Sequence, residues 1–184
     1  MGSPFLYYAE DRLSLAELSA ARLDGDVVEL GDAYIPADAV ETPSLRAGSL
    51  RGILGTTLAA THLSAAWIHG AIPQPPTRHT VQRAVERRLH HVMGRRLVYR
   101  DVAIAGEDLL LLGGVLVTAG VRTLADLARV DDASHREAML SLAADRPGLA
   151  REAVRWLDDH RPLPRCRPAM AALSALAADE VRTR

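Results

Sequence analysis

The chain has no lysine, no asparagine and only one cysteine, Cys166, in 184 residues. A lone cysteine excludes an internal disulfide framework and a cysteine-rich zinc site. The cytoplasm is the expected compartment. No apolar run approaches the ~20 residues that span a bilayer, so no membrane contact is expected. The opening MGSPFLYYAED has no basic segment leading into an apolar one, so no secretory signal is expected either. P-loop, dinucleotide-binding fingerprint, H-E-x-x-H and D-x-D patterns are all missing. Gly113-Gly114 reads as a hairpin turn, not a phosphate cradle. The acidic pairs Asp131-Asp132 and Asp158-Asp159 fall in loops or at helix ends. No metal, no cofactor and no catalytic set is therefore expected, and the chain does not read as an enzyme.

The missing lysine and asparagine share A/T-rich codons and point to a GC-rich genome. Arginine content by itself then says little, but its distribution says more. The formal net charge is −1. Yet residues 78–101, RHTVQRAVERRLHHVMGRRLVYRD, hold Arg78, Arg83, Arg87, Arg88, Arg95, Arg96 and Arg100, opposed only by Glu86 and Asp101. The stretch from Glu10 to Glu41 is the reverse: its many acids are opposed only by Arg12 and Arg22. Such segregation suggests polarised contacts, with nucleic acid or between modules. Arginine meets duplex DNA through phosphates and through guanine edges. The seven arginines are the candidate nucleic-acid-binding residues. The competing reading is a solvated face partnered by the acidic front.

The apolar pattern gives an α+β chain. Ser14 with Glu17 forms a capping box for a helix that Asp24-Gly25 ends. DVVELGDAYIPAD reads as a hairpin turning at Gly31-Asp32. This short winged-helix-like module occupies residues 1–44, and an α+β domain occupies 45–184. Thr42-Pro43-Ser44 starts a second helix ending near Gly55. LAATHLSAAWIHG reads as another helix, stopped by Gly70, and AIPQPPT as a rigid connector. Residues 79–93 stay ambiguous. Val81, Val85, Leu89 and Val92 have helical spacing with Gly94 as a C-cap, whereas His79–Val81 and Leu97–Tyr99 read as strands around a long turn. LLLLGGVLV reads as an apolar run, a turn and a strand. VRTLADLARV reads as an amphipathic helix, and further short helices fill the last third.

Two segments carry a family resemblance. Ser64-Ala65-Ala66-Trp67-Ile68-His69-Gly70 precedes a proline-rich turn, and Gly114-Val115-Leu116-Val117-Thr118 leads to Arg122-Thr123-Leu124-Ala125-Asp126-Leu127-Ala128. Across roughly residues 45 to 130 the chain resembles the AbiEi-type antitoxins of type IV toxin–antitoxin systems, in their actinobacterial form. The resemblance implies a winged-helix-like module joined to an α+β domain. It also implies DNA binding, repression of the chain's own operon, and neutralisation of a nucleotidyltransferase-type toxin. The expectation is a DNA-binding transcriptional regulator with duplex DNA and a cognate toxin as partners. The alternative is a protein-binding module, gripping a toxin or itself, without DNA contact.

The remaining chemistry-bearing residues have quieter expectations. His79, His90 and His91 lie in or beside the arginine cluster and would add charge at low pH. The His90-His91 pair lacks metal-ligand spacing. His62 and His69 are expected to share a helix face in a capping or packing role. Trp67 and Trp156 are expected to anchor the core or an interface. Thr123 is expected to cap its helix, with Arg122 reaching Asp126. Cys166 is expected to be a linker cysteine between Pro164 and Pro168.

Overall fold

The computed structural model describes residues 3–90 and 94–182. The fold is α+β, with a two-stranded sheet, a five-stranded mixed sheet and a helical C-terminal third. The N-terminal part starts with α1 (Leu15–Asp24). Its capping box is formed: the Ser14 hydroxyl accepts from the Glu17 N–H, and the Glu17 carboxylate accepts from the Ser14 N–H. Gly25, at φ +85°, ends the helix. The hairpin follows as β1 (Val27–Leu30) and β2 (Ala33–Pro36), turning at Gly31-Asp32. Leu30, Ala33 and Ile35 are buried in the same core cluster as the large sheet's residues.

Helix α2 (Pro43–Ser49) is capped by Thr42, whose hydroxyl accepts from the Leu45 N–H. A single turn, α3 (Arg51–Leu54), carries the chain to Gly55. The next segment departs from the sequence expectation. LAATHLSAAWIHG is not one helix: Leu58–Ala60 forms β3, and α4 (His62–Ile68) starts only after it. β3 sits in the middle of the sheet, flanked on both sides, and all three of its residues are buried. Burial of both faces removes the alternation that would have marked it as a strand.

The ambiguous segment forms strands. β4 (His79–Arg83) and β5 (Leu97–Ala103) flank a turn-rich connection, and residues 84–90 are not helical. Val92 of the helical alternative, and His91 of the His90-His91 pair, lie outside the described residues. β6 (Leu109–Leu112) and β7 (Val115–Thr118) form the hairpin expected around Gly113-Gly114. The sheet order is β5-β4-β3-β7-β6. β4 runs parallel to β5, and β3 parallel to β7, while β3–β4 and β6–β7 are antiparallel.

The register assigns each residue to a face. Leu58, Ala60, Val81, Tyr99, Val115 and Val117 point one way, into the core shared with α2, the N-terminal hairpin and Trp67. Ala59, Thr80, Gln82, Arg100 and Thr118 take the other face. That face meets α5 (Gly120–Ala128), behind which pack α6 (Ala133–Asp145), α7 (Leu149–Asp159) and α8 (Cys166–Arg182). α5 is the helix that its sequence suggests, and it is set deep: Arg122 to Leu127 are all buried. Its N-cap is Ala119, not Thr123. Thr123 lies one turn in, where its hydroxyl donates to the Thr118 carbonyl at 2.9 Å and lies 2.8 Å from the Thr118 hydroxyl. Cys166 is not a linker residue. It is buried at the start of α8, and its thiol donates to the Leu157 carbonyl. No helix among the described residues is long and apolar enough to cross a membrane.

Candidate nucleic-acid interface

Strand alternation divides the seven arginines between two faces and a margin. Arg83 and Asp101 point to the first face, Arg100 to the second, and Arg78, Arg87, Arg88, Arg95 and Arg96 lie in the flanking turns. Arg83 is largely buried. Its Nε lies 3.0 Å from Asp101, and its terminal nitrogen donates to the Val85 and Glu86 carbonyls. It folds the connection back on itself, so its charge is spent internally. Arg96 pairs with Asp32 in the turn of the N-terminal hairpin. This pair joins the basic segment to the acidic front. Arg88 is exposed and only 3.6 Å from Asp101. Arg78 donates to the Leu97 carbonyl at 2.9 Å and is exposed. Arg87, Arg95 and Arg100 are exposed. Among the described residues, no acidic side chain bridges Arg78, Arg87, Arg95 or Arg100.

Of the histidines in or beside the cluster, His79 is held inside. The His79 ring packs beside Trp67, with Nδ1 3.2 Å from the Ser64 hydroxyl. That hydroxyl also accepts from the Thr80 N–H at 3.0 Å. Burial lowers the His79 pKa, with Asp32 pulling it up and Arg96 down. His79 therefore does not add charge to the patch near neutral pH. His90 is exposed beside Arg87 and Arg88 in a shallow cleft under Gly52–Gly55. His69 ends α4, where Nε2–H donates to the Thr118 carbonyl at 2.7 Å, and burial lowers its pKa. His62 begins α4 at φ +51°. A non-glycine residue there costs about 1–3 kcal/mol of backbone strain. The two histidines occupy opposite ends of α4, and each is tied to a different strand connection.

Behind Arg100 lies a polar network that the sequence reading only touched. Arg122 reaches Asp126 through Nε at 2.9 Å, as expected, but also Asp108 at 2.9 Å. Asp108 accepts from the Trp156 indole N–H at 2.8 Å, and the Arg122 guanidinium lies 4.8 Å from that ring's centre. Asp126 accepts a further bond from Arg129 at 3.1 Å, and Arg129 Nε donates to the Pro164 carbonyl at 3.0 Å. Burial pushes the Asp126 carboxyl up, against the pull of Arg122 and Arg129. Removing one partner from a buried pair of this kind costs about 3–5 kcal/mol, because the other charge is left without compensation. Among the described residues no group of three or more possible metal ligands converges in this set. Its role is to hold α5, α7 and the 3-10 turn at Gly106–Asp108 together.

The two signature segments thus meet in space. Ser64 fixes β4, His69 fixes the end of β7, and Thr118, Thr123, Arg122 and Asp126 fasten α5 to the sheet. No protein-family model matches the chain, and no curated protein matches it in sequence. Among solved structures, it is similar to the crystal structure of the RV2827C protein from Mycobacterium tuberculosis. That match has 16% identity and a TM-score of 0.35, and covers 89% of this chain and 68% of the other. Such a distant likeness carries no argument about fold or function.

Proposed function

We propose that the chain binds duplex DNA as a transcriptional regulator of the antitoxin type, through the arginines at the β4–β5 margin of its sheet. One observation carries the reading. Arg78, Arg87, Arg88, Arg95 and Arg100 hold five guanidinium groups at the surface of the edge strand β5 and of the segments that flank β4 and β5. Arg83 and Arg96 belong to the support of that margin, because Asp101 and Asp32 already engage them. With a net charge of −1, the whole molecule exerts no long-range pull on DNA. The attraction is local and acts within a Debye length, about 8 Å at physiological salt. Repression of its own operon and neutralisation of a nucleotidyltransferase-type toxin extend this reading through the resemblance to AbiEi-type antitoxins.

The test is an anisotropy titration with the duplex upstream of the chain's own gene, between low and physiological salt. If all five arginines reach phosphates, affinity falls about 500-fold between ~50 and ~200 mM salt. The double substitution Arg87→Ala and Arg95→Ala lowers affinity for every duplex and reduces the logarithmic salt slope by about 2. Absence of binding at the lowest salt, to the upstream duplex and to unrelated duplexes alike, defeats the proposal.

A second reading, protein binding without DNA contact, is favoured by the opposite edge. β6 is the other edge strand, and Leu111 on it is 70% exposed. Co-purification with the product of a neighbouring gene, lost in Leu111→Glu and kept in Arg87→Ala, would decide for it.

A further inference from the structure

We infer that the cleft between β5, α4, the end of α5 and the Pro164-Arg165 segment is a binding site for the phosphate group of a small phosphorylated ligand. The cleft has a volume of about 300 Å³ and is lined by His62, Arg100, Arg129, Asp131 and Arg165, with Val130 and Pro164 as its apolar walls. That volume matches the lower end of small-molecule sites, ~300–1,000 Å³. These residues are far apart in sequence and arrive on four different elements. Arg100 projects from β5 on the sheet face opposite Arg83. Arg129 and Asp131 follow the end of α5, and Arg165 stands just before α8.

The donors are of the type that phosphate needs. Three arginines line the one cleft, and planar guanidinium forks match oxyanion geometry. They are unequally engaged. Arg129 is fixed by Asp126 and by the Pro164 carbonyl. Arg165 is held at 2.9 Å by Asp131, whose carboxylate also has Arg136 at 3.5 Å. Arg100 has no acidic partner among the described residues. Asp131 is the one carboxylate on the cleft wall, and an arriving phosphate competes with it for Arg165. A rigid arginine, a releasable one and a free one give a site that is already built and still able to close on an anion.

His62 lines the same cleft. Its Nδ1 lies 3.0 Å from the Thr61 hydroxyl. The charged and titratable groups around it are Arg100 from β5, Arg122 from α5, Arg129 and Asp131 just past its end, and His135 from α6, whose ring stands edge-on at 6.0 Å. His135 is itself paired with Asp132 at 2.8 Å. Burial and these cations hold the His62 ring neutral. The imidazole therefore reports the potential of the cleft: an anion between Arg100 and Arg129 makes its protonation easier.

The cleft shares only Arg100 with the DNA-binding proposal, which Arg87 and Arg95 outside the cleft test separately. The probes are inorganic phosphate and adenosine 5′-monophosphate, added to the full chain while the histidine side-chain resonances are followed by NMR. Both probes are expected to move the His62 signals and raise its titration midpoint, whereas chloride at matched ionic strength does not. Arg100→Ala and Arg165→Ala should each weaken phosphate binding about tenfold. Both side chains are exposed, and an unchanged tryptophan emission spectrum certifies the fold. A short duplex that moves the His62 signals more tightly than the mononucleotide identifies the phosphate as nucleic-acid backbone and overturns the small-ligand assignment. Chloride matching phosphate, silent His62 signals, or full binding in Arg100→Ala each overturn the site itself.

Discussion

His62 shows how one residue couples fold and charge. Burial, then Arg100, His135, Arg129 and Arg122, push its pKa down to about 3. In the unfolded chain a histidine titrates near 6.5. Above that value both states are neutral, and His62 adds no pH dependence. As the pH falls below it, the unfolded chain takes up a proton that the folded chain refuses, so stability is lost between the two values. The linkage amounts to about 2 kcal/mol between pH 7 and pH 5. His69 and His79, also lowered by burial, act in the same direction. His62→Gln should therefore flatten the acid sensitivity. Urea midpoints at pH 7 and pH 5, in phosphate-free buffer, should give a stability loss about 2 kcal/mol smaller than in the unsubstituted chain. Equal losses in both proteins would refute the buried, neutral imidazole.

At the scale of elements, the β6–β7 hairpin offers the sharpest contrast. Gly113 and Gly114 both have positive φ, +55° and +83°, as a tight hairpin turn with two left-handed positions requires. Their surroundings differ. A Cβ at Gly113 would overlap the Ser44 carbonyl oxygen and lie 2.8 Å from the Gly48 nitrogen, so α2 would have to move. A Cβ at Gly114 would meet only the Arg51 side chain, at 3.8 Å. Gly114→Ala should cost about 1–2 kcal/mol, the backbone strain alone. Gly113→Ala should cost about 3 kcal/mol or more, because a helix must shift as well. Denaturant melts of the two variants test the order, and equal costs would show that α2 does not rest on the turn. Both hairpins and α1 were legible in the sequence because glycine, aspartate and a capping box punctuate them. β3 was not, because Leu58-Ala59-Ala60 is short, apolar throughout and rich in a helix-favouring residue. The parallel pairing of β4 with β5 was hidden too, since direction is set by the tertiary path and not by side-chain period. For the same reason the arginine cluster was visible as a run, but its division was not. Only the strand alternation puts Asp101 beside Arg83 and sends Arg100 toward Arg129 and Arg165, which the sequence holds far away.

On the scale of the whole molecule there are two apolar clusters, one built on the sheet and one on the C-terminal helices, and each has its own tryptophan. Trp67 is fully buried with Val81, Val117 and Ile35, while Trp156 packs against the cluster of Leu124, Leu149 and Leu157. α4 contributes to both, with Ala65 and Trp67 in one and Ala66 in the other. α4 therefore joins the two clusters and cannot unravel without opening both. Fully burying one such Leu, Ile or Val is worth about 1.5–3 kcal/mol. Opening α4 exposes buried side chains of both clusters at once. The chain should consequently unfold as one unit. Trp156→Phe leaves Trp67 to report on the first cluster, and Trp67→Phe leaves Trp156 to report on the second. Each substitution lowers stability by its own amount, so each fluorescence transition is compared with far-ultraviolet circular dichroism of the same variant. Coincident transitions are expected in both proteins. An early Trp156 transition, ahead of the loss of secondary structure, would mean that the C-terminal helices detach first. Arg129 and Arg165 would then leave the cleft at denaturant concentrations where Arg78, Arg87 and Arg95 still stand on the sheet margin, so phosphate binding would be lost before DNA binding.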